Sequence, residues 1–482
     1  MKVFLTGGTG VMGMATLREL LNDRGGRGEG ITVLAREGKK NRKKLAPFVK
    51  KGVRIVWGNL LNLSDIKRGI KDADIVLHVG GMVSPAADWQ PELTYRVNTI
   101  GMTNIIEAAK EKEAAGKDIA VVYIGSVSQY GNRAYPSHWG RCGDPIASAV
   151  FDKYALSKSV AEKMLSESGL KRWVSLRQTG IMHPGVLLKA SDPIAFHVPM
   201  ASGLEWITDR ASGRLLAGVC REGLPEKFWK NYYNIGGGES YRYRNYDFVK
   251  LTLDAVGCPP PEKVFDLNWF ATQNFHGMFF EDSDRLEEII PYRDKETFAE
   301  YMSELKRQLP FYFRLAPLAP AALIKSTMKR VAETKVLGPL YWIKNDIRPR
   351  IEAFFGGIEN YRKIPDWKDA KLPDLTEFMG RLDHGYDESK EIEEITLGEL
   401  RRAAEFRGGK CLTAGADQDK PGADNQIEWE CSEGHRFRLT PRTVLKGGHW
   451  CGACLEEMNE NPTAFRRLAE KSAFLRQIDL RV

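Results

Sequence analysis

The segment KVFLTGGTGVMGMATLREL, which follows Met1, restricts the fold more than any other part of the sequence. It is a short apolar run, then a turn that contains Gly7, Gly10 and Gly13, then a segment with the apolar spacing of a helix. Glycine at these places allows a tight turn, a close approach of backbone to a pyrophosphate, and close packing of helix on strand. The segment therefore predicts the first strand–turn–helix unit of a dinucleotide-binding sheet.

Further apolar segments alternate with stretches long enough to be helices. The apolar segments are ITVLAREG, VRIVWGNL, DIVLHVGG and IAVVYIGS, and NTIGMTNIIEAAKE is one of the intervening stretches. Strands that alternate with helices predict a parallel sheet covered on both faces, with ligands bound outside the carboxyl ends of its strands. With 482 residues, 43% of them hydrophobic, the chain is long enough for two or three domains.

The end of the second apolar segment bears on which dinucleotide is bound. An acidic residue there would bind the ribose hydroxyls. This chain has Ala35 and Arg36, followed by a basic run that includes Lys39 and Arg42. The pattern favours a 2′-phosphate and hence NADP, while Glu37 keeps NAD as the alternative.

The stretch FDKYALSKSVAE places Tyr154 and Lys158 four residues apart on one face of a predicted helix. An ammonium near a phenol favours the phenolate, and it would lower a pKa that is about 10 in a free tyrosine. Such a pair can move a proton to or from a carbinol. An isolated YxxxK spacing also fits a packing tyrosine beside a solvated lysine. The other motifs of the chain must therefore decide between the catalytic and the structural interpretation.

Five motifs, in order, resemble those of the extended short-chain dehydrogenase/reductase superfamily, also called the NAD-dependent epimerase/dehydratase family, over residues 1 to about 310. They are TGGTGVMG, HVGG, VNTIGMTN, GSVSQYG and YALSK. The resemblance implies a Rossmann-type doubly wound sheet with a smaller substrate lobe. It also implies that Tyr154 is the catalytic acid/base, that Lys158 lowers its pKa and holds the nicotinamide ribose, and that Ser126 hydrogen-bonds the reacting oxygen.

The expected cofactor-binding residues come from the glycine turn, the strand ends and the YxxxK helix. They are Gly7, Gly10, Gly13, Arg36, Asn59, Asn98, Tyr154 and Lys158.

Departures from the family pattern narrow the expected chemistry. Dehydratases of the family carry an Asp-Glu pair directly after the active-site Ser or Thr, whereas this chain has Val127 and Ser128. Where sugar-nucleotide enzymes commonly have an Asn, it has Thr179 and Gly180. The expected reaction is therefore the interconversion of a secondary hydroxyl and a ketone, with nucleotide-sugar 4-epimerisation as the alternative. We expect His183 and His197 nearby to be structural or to line the substrate.

Residues 311–395 are predicted to be a helical extension followed by a polar linker. Residues 311–352 hold eight Lys/Arg against three Asp/Glu, and Ile324, Met328 and Val331 share one helical face. An apolar stripe edged by basic residues can contact a membrane surface or cover an apolar pocket, and it can equally pack on the main domain. Membrane-associated steroid dehydrogenases of the same superfamily carry C-terminal extensions, and this analogy favours a bulky, fairly apolar, steroid-like substrate.

Residues 396–482 are predicted to be a small zinc-binding module. Cys431 and His435 form C-x3-H, and after fifteen residues Cys451 and Cys454 form C-x2-C. Four such ligands suit tetrahedral Zn²⁺, and a module with little core needs a metal of this kind. The segment resembles bacterial treble-clef zinc-ribbon modules, in which Cys411 would be a fifth sulfur. With four ligands present, we expect a structural zinc and a buried Cys411, with exchange of Cys411 for His435 as the alternative.

Charge and cysteine content bear on partners and compartment. The net charge of +8 is modest for this length and does not argue for nucleic acid. Basic residues such as Arg436 and Arg438 alternate with Trp429, Phe437 and Trp450, a pattern also found in nucleic-acid-binding modules. We expect these aromatic residues to form a small core, and a cofactor-sensing regulator that binds nucleic acid or protein is the third alternative. Seven unevenly placed cysteines and a start without a signal-peptide pattern predict a cytoplasmic protein, expected to be a homo-oligomer.

Overall fold

The structure is a computed structural model and describes residues 1–187, 192–309 and 319–479. The strands of this part of the chain are β1 (Val3–Thr6), β2 (Ile31–Ala35), β3 (Arg54–Trp57), β4 (Ile75–His78), β5 (Ala120–Ser126), β6 (Trp139–Gly140), β7 (Arg172–Gln178), β8 (Ile181–Met182), β9 (Gly203–Glu205), β10 (Ile207–Thr208), β11 (Asn231–Ile235), β12 (Arg242–Arg244), β13 (Phe279–Phe280), β14 (Lys410–Cys411), β15 (Ile427–Glu430) and β16 (Arg436–Leu439).

The helices are α1 (Val11–Asp23), α2 (Lys39–Val49), α3 (Leu63–Ile70), α4 (Ala86–Trp89), α5 (Pro91–Ala114), α6 (Lys153–Ser166), α7 (Pro184–Leu187), α8 (Asp209–Val219), α9 (Asn245–Val256), α10 (Pro261–Val264), α11 (Asp284–Ile289), α12 (Phe298–Gln308), α13 (Ala321–Ala332), α14 (Pro339–Lys344), α15 (Arg348–Phe355), α16 (Ile358–Arg362), α17 (Leu397–Phe406), α18 (Gly452–Glu460), α19 (Ala464–Lys471) and α20 (Ala473–Arg476).

A seven-stranded parallel sheet forms the centre of the N-terminal part, in the order β11-β7-β5-β4-β1-β2-β3. The strand sequences VFLT, ITVLA and IVLH are buried throughout, as expected for strands covered on both faces. Strand order reverses at β1, which lies between β2 and β4, so a crevice opens at their carboxyl ends. The predicted α/β class with a Rossmann-type doubly wound sheet is confirmed.

Two apolar clusters cover the two faces of this sheet. One packs α1, α2 and α8 against it, with Leu17 and Leu215 fully buried. The other packs α3, α5 and α6, with Met102 and Leu165 fully buried. Helix α6 therefore has one side against the sheet near the carboxyl end of β5, the edge at which ligands of such sheets bind.

The helical extension packs on the lobe that follows the sheet. Ile324, Met328 and Val331 of α13 lie against the cluster of Phe196, Trp269 and neighbouring aromatic residues, so the apolar stripe predicted from the sequence faces the lobe. His197 lies between the two parts: its Nε2 is 2.7 Å from the Leu337 carbonyl oxygen, and its ring contacts Trp342 and Phe354. Residues 311–318 of the predicted membrane-contact segment lie outside the described residues. Among the helices described, none is long and apolar enough to cross a membrane.

The polar segment 366–395 is anchored to the main domain rather than extended as a free tether. His384 is fully buried, with its Nε2 2.9 Å from Asp144, and Arg141 binds Glu388 with both terminal nitrogens. The Trp139 indole also donates to the carbonyl of Glu377. Acidic composition suggested a solvated linker, but here Glu388 pairs with Arg141 and His384 with Asp144, both in the loop around β6.

The C-terminal module has its own small core and a large contact with the main domain. Its β14-β15-β16 sheet is antiparallel, and Leu400, Trp429 and Val444 are fully buried between this sheet and α17. A second cluster is shared, because residues of α18 and α19 pack with Val127, Tyr130 and other residues of the main domain. The module therefore lies against the part of the sheet that carries Ser126.

Candidate active site and metal centre

The glycine turn after β1 fits the close approach of a pyrophosphate. Gly7 has a φ of +74°, and a Cβ there would lie 2.7 Å from the amide nitrogen of Gly80. A Cβ on Gly13 would lie 2.3 Å from the Gly7 carbonyl oxygen. Gly10 is the N-cap of α1 and provides no side-chain cap, so the amide groups of the first turn remain available to an anion. These three glycines form a cradle suited to a dinucleotide.

Arg36 follows β2 and is exposed at the predicted adenosine end of this cradle. Within the described residues its guanidinium forms no ion pair, whereas Glu37 is paired with Arg42 at 2.5 Å. The Arg42 guanidinium also lies over the Trp57 ring, 4.8 Å from its centre. The carboxylate that kept NAD as an alternative is thus held by a neighbouring cation, and Arg36 is left facing solvent.

Asn59 and Asn98 occupy different environments. Asn59 is exposed after β3, and its Oδ1 accepts from the Leu61 amide. Asn98 is buried in α5; its Oδ1 accepts from the Met82 amide at 2.9 Å, and its Nδ2 donates to Ser157 at 2.9 Å. The side-chain amide of Asn98 hydrogen-bonds both the loop after β4 and α6, so it holds this loop against the helix. Direct cofactor contact by either residue stays a prediction.

Ser126, Tyr154 and Lys158 come together at the carboxyl end of β5. Ser126 is the last residue of that strand, and its side chain lies near enough to the Tyr154 phenol to lower the pKa of that phenol. The Lys158 ammonium donates to the Ile124 carbonyl at 2.8 Å and lies 5.9 Å from the centre of the Tyr154 ring. Asp152 caps α6 by accepting from the Ala155 amide, which fixes the first turn of the helix at Tyr154.

The protonation of Tyr154 differs from the sequence-based expectation. Burial raises its pKa to about 12; the Ser126 side chain lowers the pKa and the Asp152 charge raises it, and neither reverses the effect of burial. Burial also lowers the pKa of Lys158 to about 8, although Glu162 opposes this. Burial thus keeps the pKa of Tyr154 above that of a free tyrosine, because desolvation disfavours the phenolate. The expected lowering of this pKa by Lys158 stays a prediction. At neutral pH the phenol is protonated.

Ser126 is held by the short 3₁₀ turn Val127–Tyr130 that follows it. The Ser126 amide donates to the Gln129 side chain at 2.7 Å, and the Ser128 hydroxyl donates to the Ser126 hydroxyl at 2.9 Å. Val127 and Ser128, where dehydratases carry their carboxylates, are both buried. This turn therefore positions a hydroxyl and offers no acid for dehydration.

A buried ionic network lies one helical turn beyond Lys158 and was not predicted from the sequence. Glu162 accepts from Arg177 at 2.6 Å, from Ser175 at 2.5 Å and from His449 at 2.8 Å. Burial opposes ionisation of Glu162, but Arg177 and His449 outweigh it and hold its pKa well below the usual value. The spacing Tyr154, Lys158, Glu162 along one helix face was a readable signal, whereas the link to His449 in the C-terminal module was not.

The four predicted metal ligands meet at one point. Their donor atoms all lie within 4.8 Å of one another, and Cys431, Cys451 and Cys454 have Sγ atoms 3.4, 3.5 and 3.6 Å from Nδ1 of His435. A tetrahedron with bonds of about 2.0–2.3 Å to zinc has edges of about 3.3–3.8 Å, so the donor set fits Zn²⁺. Four protein ligands leave no open position for water, which fits a structural site.

The remaining residues of the module take the places expected of a small core. Cys411 packs against the apolar cluster around α17, apart from the four ligands, and is half-buried rather than buried as expected. The ring of Trp450 lies 5.4 Å from that of Trp429 and 5.0 Å from that of Phe437. Arg436 and Arg438 are largely exposed beside acidic neighbours on the adjacent strand. The aromatic residues thus face one another rather than solvent.

The N-terminal part of the chain is similar to known proteins. Residues 3–177 match the model of the NAD dependent epimerase/dehydratase family. Short-chain dehydrogenase/reductase family 42E member 1 of Macaca fascicularis is 28% identical over 156 residues, which are 29% of this chain and 38% of that protein. The 2-alkyl-3-oxoalkanoate reductase of Shewanella oneidensis is 27% identical over 198 residues, 39% of this chain and 46% of that protein.

The chain thus spans less than half the length of the curated relatives it matches. Among solved structures, a double mutant of the dTDP-glucose 4,6-dehydratase of Streptomyces venezuelae with NAD bound is 19% identical with a TM-score of 0.50, and the match covers 64% of this chain and 96% of that one. At this identity the likeness shows the fold alone. The matches of residues 3–177 are thus to the NAD dependent epimerase/dehydratase family and to members of the short-chain dehydrogenases and reductases, in agreement with the predicted enzyme class.

Proposed function

We propose that the protein is an NADP-preferring oxidoreductase that interconverts a ketone and a secondary alcohol on a bulky, fairly apolar substrate. The observation that carries the proposal is the meeting of Ser126, Tyr154 and Lys158 at the carboxyl end of β5, beside a glycine cradle of the right construction. The reduced nicotinamide would supply a hydride to the carbonyl carbon. The protein residues would supply the proton and the stabilisation of negative charge on the oxygen.

The roles of the three residues follow from their state in the structure. Tyr154 carries its proton at neutral pH, which is the form that ketone reduction requires, and it would give that proton to the carbonyl oxygen as negative charge develops there. Ser126, held by Gln129 and Ser128, would donate a hydrogen bond to the same oxygen. Lys158 would hold the nicotinamide ribose and favour the phenolate left after proton transfer. In the reverse direction the same groups would accept the proton.

An apolar substrate is supported by the surroundings of Tyr154. Val150 and Phe151, just before the catalytic helix, pack with the apolar cluster of the helical extension around Trp342 and Phe354. The relative named 2-alkyl-3-oxoalkanoate reductase acts, by its name, on a ketone that carries an alkyl branch. The buried Val127 and Ser128 argue against dehydration of a sugar. Preference for NADP rests on the exposed Arg36 and on the pairing of Glu37 with Arg42. We also propose that the four-ligand centre holds a structural zinc.

The test follows the absorbance of reduced cofactor during incubation of the purified full-length chain with each of two substrate pools. One pool holds branched 3-oxoacids and steroid ketones, with NADPH and NADH supplied separately. The other holds UDP-sugars, with both the oxidised and the reduced forms of each cofactor supplied. Stoichiometric loss of NADPH with the first pool, faster than loss of NADH, is the expected result. No net loss with either pool, together with a new sugar isomer in the second, would replace this function with 4-epimerisation.

A further inference from the structure

The C-terminal module contacts the catalytic helix along its whole length. At the first turn of α6, Lys153 pairs with Glu460 at 2.7 Å. In the middle, His449 donates to Glu162, and at the end Glu167 accepts from Thr440 at 2.9 Å. The module also supplies the Gly447 carbonyl, which accepts from Arg177 at 2.6 Å. Attachment of the module at a single point would not require contacts along the whole length of α6.

The loop 149–152, directly before Tyr154, depends on a single residue of the module. Asn459 is fully buried near the end of α18, and its two Nδ2 protons go to the carbonyl oxygens of Ala149 at 2.8 Å and Asp152 at 2.9 Å. The main-chain carbonyl oxygen of Asn459 accepts from the Phe151 amide at 2.6 Å. One residue therefore satisfies three backbone groups of a four-residue loop.

This loop needs such support because of its backbone conformation. Phe151 has a φ of +65°, which is unfavourable for a residue with a bulky side chain. On the side facing the substrate lobe, Asn274 binds both the amide and the carbonyl of Val150, at 2.8 and 3.0 Å. Asn459 and Asn274 thus hold the loop from opposite sides. Asp152, at the end of the loop, is the N-cap of α6 and sets where the helix begins, one residue before Tyr154.

The metal centre is connected to Asn459 through one short helix. Cys451 is the N-cap of α18 and Cys454 is in its first turn, while Cys431 and His435 belong to the β15–β16 hairpin. A metal bound by all four would fix α18 to that hairpin. Asn459 is then five residues beyond Cys454 on the same rigid helix, so the position of the metal ligands sets the position of its amide.

We infer that Asn459 is a positioning residue for Tyr154 and that the metal centre acts on catalysis through it, without touching substrate or cofactor. The metal keeps α18 in place, Asn459 keeps the loop 149–152 in its strained conformation, and the loop keeps the Tyr154 hydroxyl within reach of Ser126. The inference that turnover depends on this chain of contacts rests on the proposed reductase function. The inference that Asn459 and the metal centre set the geometry of the loop and of α6 does not rest on that function.

The test compares the zinc-loaded full-length protein with Asn459→Asp and with a matched control. Asn459→Asp has the same shape but replaces the Nδ2 group, which donates to two carbonyl oxygens, with an oxygen that can only accept. Asn461→Ala is the control, because Asn461 is exposed two residues further on and its side chain binds only Thr463 among the described residues. Zinc content, affinity for NADPH, kcat, melting temperature and hydrogen exchange of the segment 149–158 are measured for each.

For Asn459→Asp we expect faster exchange in 149–158 and a loss of kcat of about 10- to 100-fold, the scale of a 1 Å misplacement in an active site. Zinc content and NADPH affinity should stay within twofold of the parent. Asn461→Ala should match the parent in every measurement. A residue that served only overall stability would lower the melting temperature and leave kcat unchanged well below it, and that result would overturn the inference.

The second experiment removes zinc from the parent protein with a chelator. It tests the same inference if Asn459→Asp fails to fold. Exchange in 149–158 should rise as zinc leaves, while exchange in β1 and β4 stays constant. Re-addition of Zn²⁺ alone should restore both exchange and kcat. Unchanged exchange in 149–158 after complete loss of zinc would overturn the inference. A parent without turnover on any ketone would count against the proposed function, and the exchange arms would still decide the role of Asn459.

Discussion

At the scale of single residues, the chemistry turns on how burial sets protonation. Burial raises the pKa of Tyr154 to about 12, so the phenol is protonated at neutral pH and can donate a proton. Lys158, with a pKa of about 8, is mostly charged at neutral pH and is aimed at the carbonyl of Ile124. A donor phenol beside a cation suits the protonation of an oxygen that gains negative charge.

Replacement of the Tyr154 hydroxyl tests this role. Tyr154→Phe removes the proton donor and keeps the ring, so we expect kcat to fall by about 10²-fold or more, the usual contribution of a general acid. NADPH affinity, measured by titration calorimetry, should change by less than about twofold. Tyr135→Phe makes the same chemical change on an exposed tyrosine and should leave turnover intact. Full activity in Tyr154→Phe would reject the acid/base assignment.

Reversal of the charge at Arg36 tests the choice of cofactor. Arg36→Glu should weaken NADPH by about 10- to 100-fold, because a charge-assisted hydrogen bond to a phosphate is worth about 1.5–3 kcal/mol. NADH should be affected far less, since it lacks the 2′-phosphate. Arg18→Glu makes the same charge reversal on the exposed face of α1 and should affect both cofactors little. Equal weakening of NADPH and NADH by Arg36→Glu would show that Arg36 does not read the phosphate.

At the scale of elements, α6 carries both the catalytic pair and the buried Glu162–Arg177 pair. The same helix face that presents Tyr154 and Lys158 to the cleft presents Glu162 to β7, where Arg177 binds it with two nitrogens. Both side chains of the ion pair are fully buried. The helix is therefore fixed to the sheet by a charge pair that requires both partners.

Removal of the Glu162 charge should destabilise the fold strongly. Glu162→Gln leaves the Arg177 guanidinium buried without its counterion, and loss of one partner of a buried pair costs about 3–5 kcal/mol. The free energy of unfolding by urea, at constant pH and zinc, is the measurement. Glu107→Gln on the exposed face of α5 is the matched control and should change stability by less than about 0.5 kcal/mol. A small loss in Glu162→Gln would show that Arg177 has another compensating partner.

At the scale of the whole molecule, the chain after the substrate lobe packs against the domain that contains the parallel sheet. The segment 366–395 is held to the loop around β6 by His384, which contacts Asp144 and Glu388 and lies near Arg141. Burial lowers the pKa of His384, but the hydrogen bonds to the two carboxylates outweigh burial and Arg141, and the pKa is raised above 6.5. This docking is therefore sensitive to pH.

The sign of the pH dependence follows from the raised pKa. Stabilisation by charged His384 is complete below the unfolded pKa of about 6.5 and is lost as pH rises through the folded value. We expect tryptic cleavage within 366–395 to accelerate as pH rises above neutral, after correction with an unstructured peptide. His384→Gln should remove this dependence. His138→Gln, which changes a buried histidine just before β6 whose Nε2 contacts the Leu375 carbonyl of the segment, should retain it, because burial lowers the pKa of His138. Constant cleavage in the parent would contradict the prediction.

The sequence by itself determined the features whose physics is local. The turn that contains Gly7, Gly10 and Gly13 is readable because backbone sterics over a few residues require it. The YxxxK pair and the four metal ligands are readable because helix and hairpin spacing bring near neighbours together. Alternating apolar strands and helices fixed the α/β class, since each element must bury one face on a common sheet.

Only the tertiary structure decided how these parts act on one another. Glu162 and His449 are 287 positions apart, and Asn459 is 310 positions from Ala149, so no periodicity could connect them. The protonation of Tyr154 was also beyond the sequence, because its pKa depends on how much water the folded chain excludes. Local spacing specifies which groups a segment carries, whereas long-range packing sets their solvent exposure, their partners and hence their charge.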